Sequence, residues 1–237
     1  MLRAFIYYVL FYSWSLMAML VALPLSLISA AWIHRCGIIW GRVCLALAGL
    51  KLEVRGQENI PDRAPAIYVV NHQSNFDIPI LYAGLPLPFR WMAKAELFRV
   101  PLFGLAMKRC GYIPIDRSNH RQALHSINLA AERIQAGTSV IVFPEGTRTS
   151  DGRLQAFKKG ALLIAAKARV PVVPMAIKGS FAIQPKGSWK VGKGPLRLSI
   201  MPPISTTNLQ IREVEALTEQ VHSLIAADLA EEVTDDN

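Results

Sequence analysis

The chain has 237 residues, 52% of them hydrophobic and only 18% charged, with a formal net charge of +9. Such a length suits one α/β domain with an appendage and a sizeable core, and a charged fraction below the ~25% of an average soluble domain points to membrane contact. Three cysteines without paired spacing, Cys36, Cys44 and Cys110, argue against a disulfide framework or a zinc site and for a reducing compartment.

Residues 4–33 contain no charged side chain. As one helix, 30 residues would be ~45 Å long, against a hydrocarbon core of ~30 Å. Pro24 lies inside the run and should kink or break it. A second apolar segment, 37–50, carries only Arg42. The pattern predicts two helices, about 4–23 and 25–50. The first crosses the bilayer or dips into one leaflet, and the second packs back along it. Residues 1–50 are therefore read as membrane-associated helices and 51–237 as an α/β domain with an acidic tail at 228–237. A cleaved signal peptide competes with this reading, because Ser29, Ala30 and Ala31 are small, but the apolar stretch exceeds the usual ~7–15 residues. Arg35, Arg42, Lys51 and Arg55 follow the segment and only Arg3 precedes it, which places the following domain in the cytoplasm.

Beyond residue 50, strand patterns recur at 51–55, 67–70, 89–93, 111–115, 139–143, 171–177 and 196–201. The clearest helix runs over 119–136, capped by Ser118 or Asn119 and stopped by Gly137. Others are expected at about 158–168 and 211–231. This alternation implies an α/β fold with a central mixed sheet flanked by helices. Pro171 and Pro174 do not belong in a central strand, so 170–177 is expected to be a buried wall with an irregular edge. Residues 178–195, rich in Gly, Lys and Pro, read as a long basic loop that contacts lipid headgroups or an acidic carrier protein, or is simply solvated. Five of the 17 acidic residues fall in the last ten positions, leaving residues 1–227 with 26 basic and 12 acidic side chains. A basic body favours an anionic partner, and no interleaved aromatic-basic motif supports nucleic acid.

Four stretches carry candidate chemistry. Asn71-His72-Gln73-Ser74-Asn75-Phe76-Asp77 stands where the strand 67–70 ends, the place where α/β folds put their sites. A neutral imidazole can take a proton near pH 7, and a carboxylate can fix its tautomer. Residues five apart on an ideal helix are ~140° apart. The pair therefore works only if His72 lies in the loop and Asp77 in the first turn of the next helix. A histidine that merely closes a strand end is the alternative. Phe143-Pro144-Glu145-Gly146-Thr147-Arg148-Thr149 follows another strand. Its Gly suits a tight turn, Arg148 offers a fork of donors for phosphate, and Glu145 orients that Arg or the loop; a structural salt-bridged turn is the bland alternative. Gly111 to Arg117 is a strand ending in Asp116 and Arg117, which either solvate the strand end or join an anion site with Lys94 and Lys158. Val170 to Ile177 is read as wall. Ser74 as a covalent nucleophile lacks a Gly-x-Ser-x-Gly elbow, and Cys110 as a thiolate is a further alternative.

Together these stretches resemble the glycerolipid acyltransferase superfamily, and most of all its bacterial lysophosphatidate (1-acyl-glycerol-3-phosphate) acyltransferases. The marks are His-x-x-x-x-Asp at His72 to Asp77, a Gly-x-Ile-x-x-x-Arg-like block at Gly111 to Arg117, Phe-Pro-Glu-Gly-Thr-Arg at 143–148 and Val-Pro-x-x-Pro at 170–174. They occur in the family's order over about residues 50–205. The resemblance implies transfer of an acyl chain from a thioester, carried by acyl carrier protein or coenzyme A, to the free 2-hydroxyl of lysophosphatidate, at the inner (cytoplasmic) membrane. It implies His72 as general base, Asp77 as its partner and direct attack without an acyl-enzyme. Arg148, Lys94 and Arg117 become phosphate ligands, Glu145, Gly146 and Thr147 shape the acceptor pocket, and Lys158 is a further candidate. No cofactor is implied, and His-x-x-x-x-Asp lacks a third ligand at a metal spacing. An acyltransferase for another lysolipid, such as lyso-ornithine lipid, and a membrane-bound lipid hydrolase are the rival readings.

Overall fold

Strand and helix alternate along most of the chain. The structure, a computed structural model, describes residues 2–27, 29–62, 64–101, 103–116 and 120–231. The strands are β1 (Leu52–Arg55), β2 (Ile67–Val70), β3 (Arg90–Lys94), β4 (Ile113–Ile115), β5 (Val140–Val142), β6 (Val172–Lys178) and β7 (Leu196–Ile200). The helices are α1 (Leu2–Leu25), α2 (Ala30–Ala48), α3 (Asp77–Gly84), α4 (Phe103–Arg109), α5 (His120–Gln135), α6 (Gly160–Ala168), α7 (Ser180–Ile183) and α8 (Val214–Ala230). The sheet order is β1-β7-β6-β2-β5-β3-β4. All neighbours run parallel except β6 and β7, so the sheet is mixed, as the alternation implied.

The central strands are apolar throughout because both of their faces are covered. Along β2, successive side chains alternate sides. Tyr68 and Val70 join a core shared with α3 and the N-terminal helices, while Ile67 and Val69 join one shared with α5, α6 and α8. Because β2 and β5 are parallel, with Val69 opposite Val142, the loops that leave their C-terminal ends emerge side by side. That pairing brings residues 71–77 next to residues 143–149.

Pro174 corrects one expectation, since β6 is an internal strand. It lies opposite Val69 of β2, and its carbonyl accepts from Met201 N at 2.9 Å. Its missing donor therefore faces the β7 side, just before the antiparallel ladder begins at Met175–Ile200. There the register slips by one residue, because Val172 bridges Ile204. A bulge of this kind costs the ladder no bond at the proline.

The first two helices form an antiparallel hairpin. Arg3 Nη2 donates to Ala48 O at 2.7 Å, and Trp40 Nε1 donates to Ser15 Oγ at 2.9 Å. Pro24 falls in the last turn of α1, so the run ends there instead of breaking midway. Ser29 caps α2, and α2 packs closely on α3 because a Cβ on Gly41 would meet Pro79 O at 2.7 Å. The 24-residue α1 is long and apolar enough to cross a membrane by length and composition. Phe5, Val9, Leu16 and Leu20 on it are exposed.

Three elements depart from the expected pattern. The seven-residue α4 is too short to show a helical period, and α7 interrupts the basic loop. The helix expected at 211–231 opens with a 310 turn, Ile211–Glu213, in which Gln210 and Glu213 form a capping box. The expected cap at Ser118 or Asn119 lies outside the described residues.

Candidate active site

Asn71, one residue past β2, is fully buried. Its side-chain amide takes the place of backbone pairing with β6: Nδ2 donates to Ile177 O at 2.9 Å and Oδ1 accepts from Ile177 N at 2.7 Å. The main chain is thus free to turn away from the sheet at His72. The imidazole stacks on the ring of Phe143, with centroids 3.8 Å apart and planes 12° apart, and Phe143 in turn stacks on Trp91.

Asp77 opens α3, where the helix dipole favours a carboxylate, and its side chain is wholly buried. Its Oδ2 lies 2.7 Å from His72 Nδ1 and also accepts from Gln73 N at 2.7 Å and Ser74 N at 2.8 Å. An ionised carboxylate only accepts, so a neutral ring facing it carries its proton on Nδ1 and leaves a lone pair on Nε2. His72 lies in the loop and Asp77 in the helix, the arrangement that the five-residue spacing requires. The Ser74 hydroxyl is engaged elsewhere, donating to Gln184 O at 2.9 Å and accepting from Phe76 N at 3.1 Å.

The loop after β5 locks onto the first. Thr149 N donates to His72 O at 3.0 Å, and Arg148 Nη1 donates to Asn75 Oδ1 at 2.6 Å. Gly146 takes a left-handed φ of 77° and its N–H closes a turn onto Phe143 O, a conformation that disfavours any side chain there. Glu145 is buried, and its carboxylate accepts from His72 N at 2.5 Å through Oε1 and from Gln155 N at 3.1 Å through Oε2. It therefore braces the loops; of the two roles open to it in the sequence, the loop takes precedence over Arg148. Burial pushes this carboxyl up to about 7, with Asp77 adding to the rise and the two amide bonds opposing it.

That shift has a testable consequence. A raised folded-state value means that the protonated carboxyl's contribution to stability is complete below the ordinary value near 4.5 and is lost as pH climbs through about 7. In Glu145→Gln the side-chain amide does not titrate, and one of the two acceptors is lost, worth about 1 kcal/mol. Melting curves should show wild type ahead of Glu145→Gln at pH 5, with the gap narrowing by pH 8. A constant or widening gap would count against the raised value.

His72, Lys94, Gly146, Thr147, Arg148 and Lys158 all line one cavity of about 510 Å³. Met92, Leu97, Ile127 and Ile164 supply apolar wall to the same cavity. Lys94 ends β3 and Lys158 precedes α6, so cations from three parts of the chain share the cavity with His72. Glu145 is not among the lining residues, and Arg117 lies outside the described residues. A smaller cavity of about 280 Å³ between α1, α2 and α4 is almost wholly apolar and shares no residue with the first. Among the described residues, no group of three or more His, Cys, Asp or Glu is placed to hold a metal ion. Asn71, Asn75 and Phe143 are site residues without a sequence-based role here. The sequence offers no signal for them, because each acts through a neighbour about 70 to 106 positions away.

Residues 51–178 match the family model described as Acyltransferase. The chain belongs to the acyltransferase family. It is 38% identical over 176 residues to the chloroplastic 1-acyl-sn-glycerol-3-phosphate acyltransferase LPAT1 of Arabidopsis thaliana, covering 73% of this chain and 49% of the relative. Over 216 residues it is 33% identical to the 1-acyl-sn-glycerol-3-phosphate acyltransferase of Cocos nucifera, covering 91% of this chain and 70% of the relative. The crystal structure of the 1-acyl-sn-glycerophosphate (LPA) acyltransferase PlsC from Thermotoga maritima superposes with a TM-score of 0.85 at 26% identity, covering 98% of this chain and 97% of that one. The chain spans about half the length of the chloroplastic relatives from Arabidopsis thaliana and Brassica napus. The resemblance drawn from the four motifs is thus borne out at the level of the family, and the mixed α/β fold is shared with a solved member.

Proposed function

We propose that the chain transfers an acyl group from a thioester to the free 2-hydroxyl of 1-acyl-glycerol-3-phosphate, forming phosphatidate and a thiol. One observation carries this reading: the Nδ1–H bond to Asp77 leaves Nε2 with a lone pair, and His72 lines a cavity that also holds Lys94, Arg148 and Lys158. His72 Nε2 takes the hydroxyl proton as the oxygen attacks the thioester carbonyl. The new C–O bond forms, the C–S bond breaks, and the departing thiolate receives the proton from the imidazolium. Asp77 stabilises that cation and holds the ring in its tautomer. The three cations take the acceptor's phosphate, joined by Arg117 on the strength of the family motif. Gly146 and Thr147 border the acceptor, and Glu145 holds the main chain of His72.

Direct attack is favoured over an acyl-serine because the Ser74 hydroxyl donates to Gln184 O. The donor is an acyl thioester of acyl carrier protein or coenzyme A, and no cofactor enters these steps. The exposed apolar face of α1 supports a place at the inner membrane, with the site in the cytoplasm as the flanking charges suggest. Purified full-length protein given a labelled thioester and a panel of lysolipids should yield labelled phosphatidate. Labelled free acid instead would favour a hydrolase, and a preference for lyso-ornithine lipid would overturn the acceptor.

Two substitutions test the parts separately. Arg148→Ala should lower kcat/KM for lysophosphatidate by about 10- to 100-fold, the range of a charge-assisted hydrogen bond, and should leave KM for the thioester unchanged. Deleting residues 1–50 would strip Tyr7, Leu45 and Ala48 from the core, so the anchor is better tested on its surface. Leu16→Glu with Leu20→Glu should shift the protein from the membrane pellet toward the supernatant. Unchanged pelleting would refute α1 as the anchor.

A further inference from the structure

The loop from His72 to Asp77 and the helix α1 are far apart in the chain, yet they meet twice, once directly and once through a third residue. The ring of Tyr7, which is buried, stacks on Phe76 with centroids 5.5 Å apart. The hydroxyl of the next residue, Tyr8, accepts a hydrogen bond from Gln184 Nε2. Gln184 is only 5% exposed, and the same Nε2 also donates to Ser188 O at 3.1 Å. Its backbone carbonyl accepts from Ser74 Oγ at 2.9 Å. The amide of Ser74 is one of the three donors on Asp77 Oδ2, and its hydroxyl accepts from Phe76 N. A continuous path of contacts therefore runs from Tyr8 through Gln184 and Ser74 to the carboxylate that holds His72.

The strap that contains Gln184 reaches the other loop as well. Lys186 Nζ donates to Thr147 Oγ1 at 3.3 Å, and Trp189 packs edge-on against Tyr8 at 5.5 Å between centroids. A solvated loop would have no reason to bury an uncharged amide between a helix and a catalytic turn. Burial of such a group is costly unless its bonds are made; here the side-chain amide bonds Tyr8 and Ser188 O, while the backbone carbonyl of the same residue holds Ser74.

We infer that Gln184 and Tyr8 are positioning residues, which tie α1 to the loop of the His72–Asp77 pair so that the seat of this helix sets the pair's geometry. The inference rests on the acyl-transfer reading for its kinetic consequence. With the bridge cut, Ser74 loses a fixed acceptor and its amide drifts from Asp77. The base is then misaligned while substrates still bind, so kcat falls and KM does not.

The test uses full-length protein in which Gln184→Ala, Tyr8→Phe and the double variant are compared with wild type. Each single substitution should lower kcat by about three- to tenfold, the worth of one hydrogen bond, with KM for the thioester within twofold. Because both lie on one path, the double variant should fall no further than the more impaired single. Full kcat in both single variants, or a double variant that loses the product of the two, overturns the inference. A second readout is independent of turnover. In protein labelled with 15N-histidine, the Nδ1–H resonance of His72, assigned by its loss in His72→Ala, should move in both single variants; an unmoved resonance in both overturns the inference. Absence of acyl transfer by wild type would instead sink the proposed function, and the resonance would still decide the bridge.

Discussion

An Asp77→Asn variant should lose about 10²- to 10⁴-fold in kcat while still folding and binding the thioester as wild type does. Asp77 Oδ2 receives three donors, two of them backbone amides fixed by the turn at Gln73 and Ser74. Asparagine can keep its one acceptor oxygen in the Oδ2 place, where it still accepts from both amides and from Nδ1–H. Its NH2 group then takes the place of Oδ1, a buried atom without a hydrogen-bond partner. What the substitution removes is the negative charge that steadies the imidazolium. Steady-state kinetics at saturating substrate, with a melting curve as control, read this directly. Activity within tenfold of wild type would mean that the pair does not act as base and partner.

Replacing His72 by Ala should abolish transfer to within the background, a loss of at least about 10³-fold, because no other described side chain in the cavity can take a proton near neutrality. Lys94, Arg148 and Lys158, the other titratable groups lining it, are cations. Ser74→Ala should stay within about tenfold of wild type, since it removes two hydrogen bonds, one to Gln184 O and one from Phe76 N, and no reacting atom. If Ser74→Ala were as inactive as His72→Ala, direct attack without a role for the serine in the reaction would be contradicted. The ordering of these two variants is therefore more informative than either value alone.

Much of the fold could be read from the chain because its sheet is buried on both faces. Runs such as Ile67-Tyr68-Val69-Val70 and Val140-Ile141-Val142 have no other home than a covered strand. The relation between His72 and Asp77 was legible for a simpler reason, since the turn angle of a helix excludes the two from one face. Other features depend on partners that lie far along the chain. Pro174 is tolerated in β6 because the ladder to β7 has not begun at that position, a fact decided by Met201 and Ile204. Glu145 sits close to Arg148 in sequence, yet its carboxylate serves the amides of His72 and Gln155. The basic stretch after Lys178 suggested a surface loop and nothing in its composition singled out Gln184, whose importance comes from Tyr8 and Ser74.

In the proposed reaction the acceptor hydroxyl, activated by His72, attacks the thioester itself. Rapid mixing of the full-length protein with an acyl thioester alone, followed by thiol detection and intact-mass analysis, tests it most directly. No burst of thiol and no mass increase is expected until lysophosphatidate is added, and then thiol and phosphatidate in equal amounts. A stoichiometric burst without acceptor, with the acyl group on the protein and lost in Ser74→Ala, would contradict direct attack.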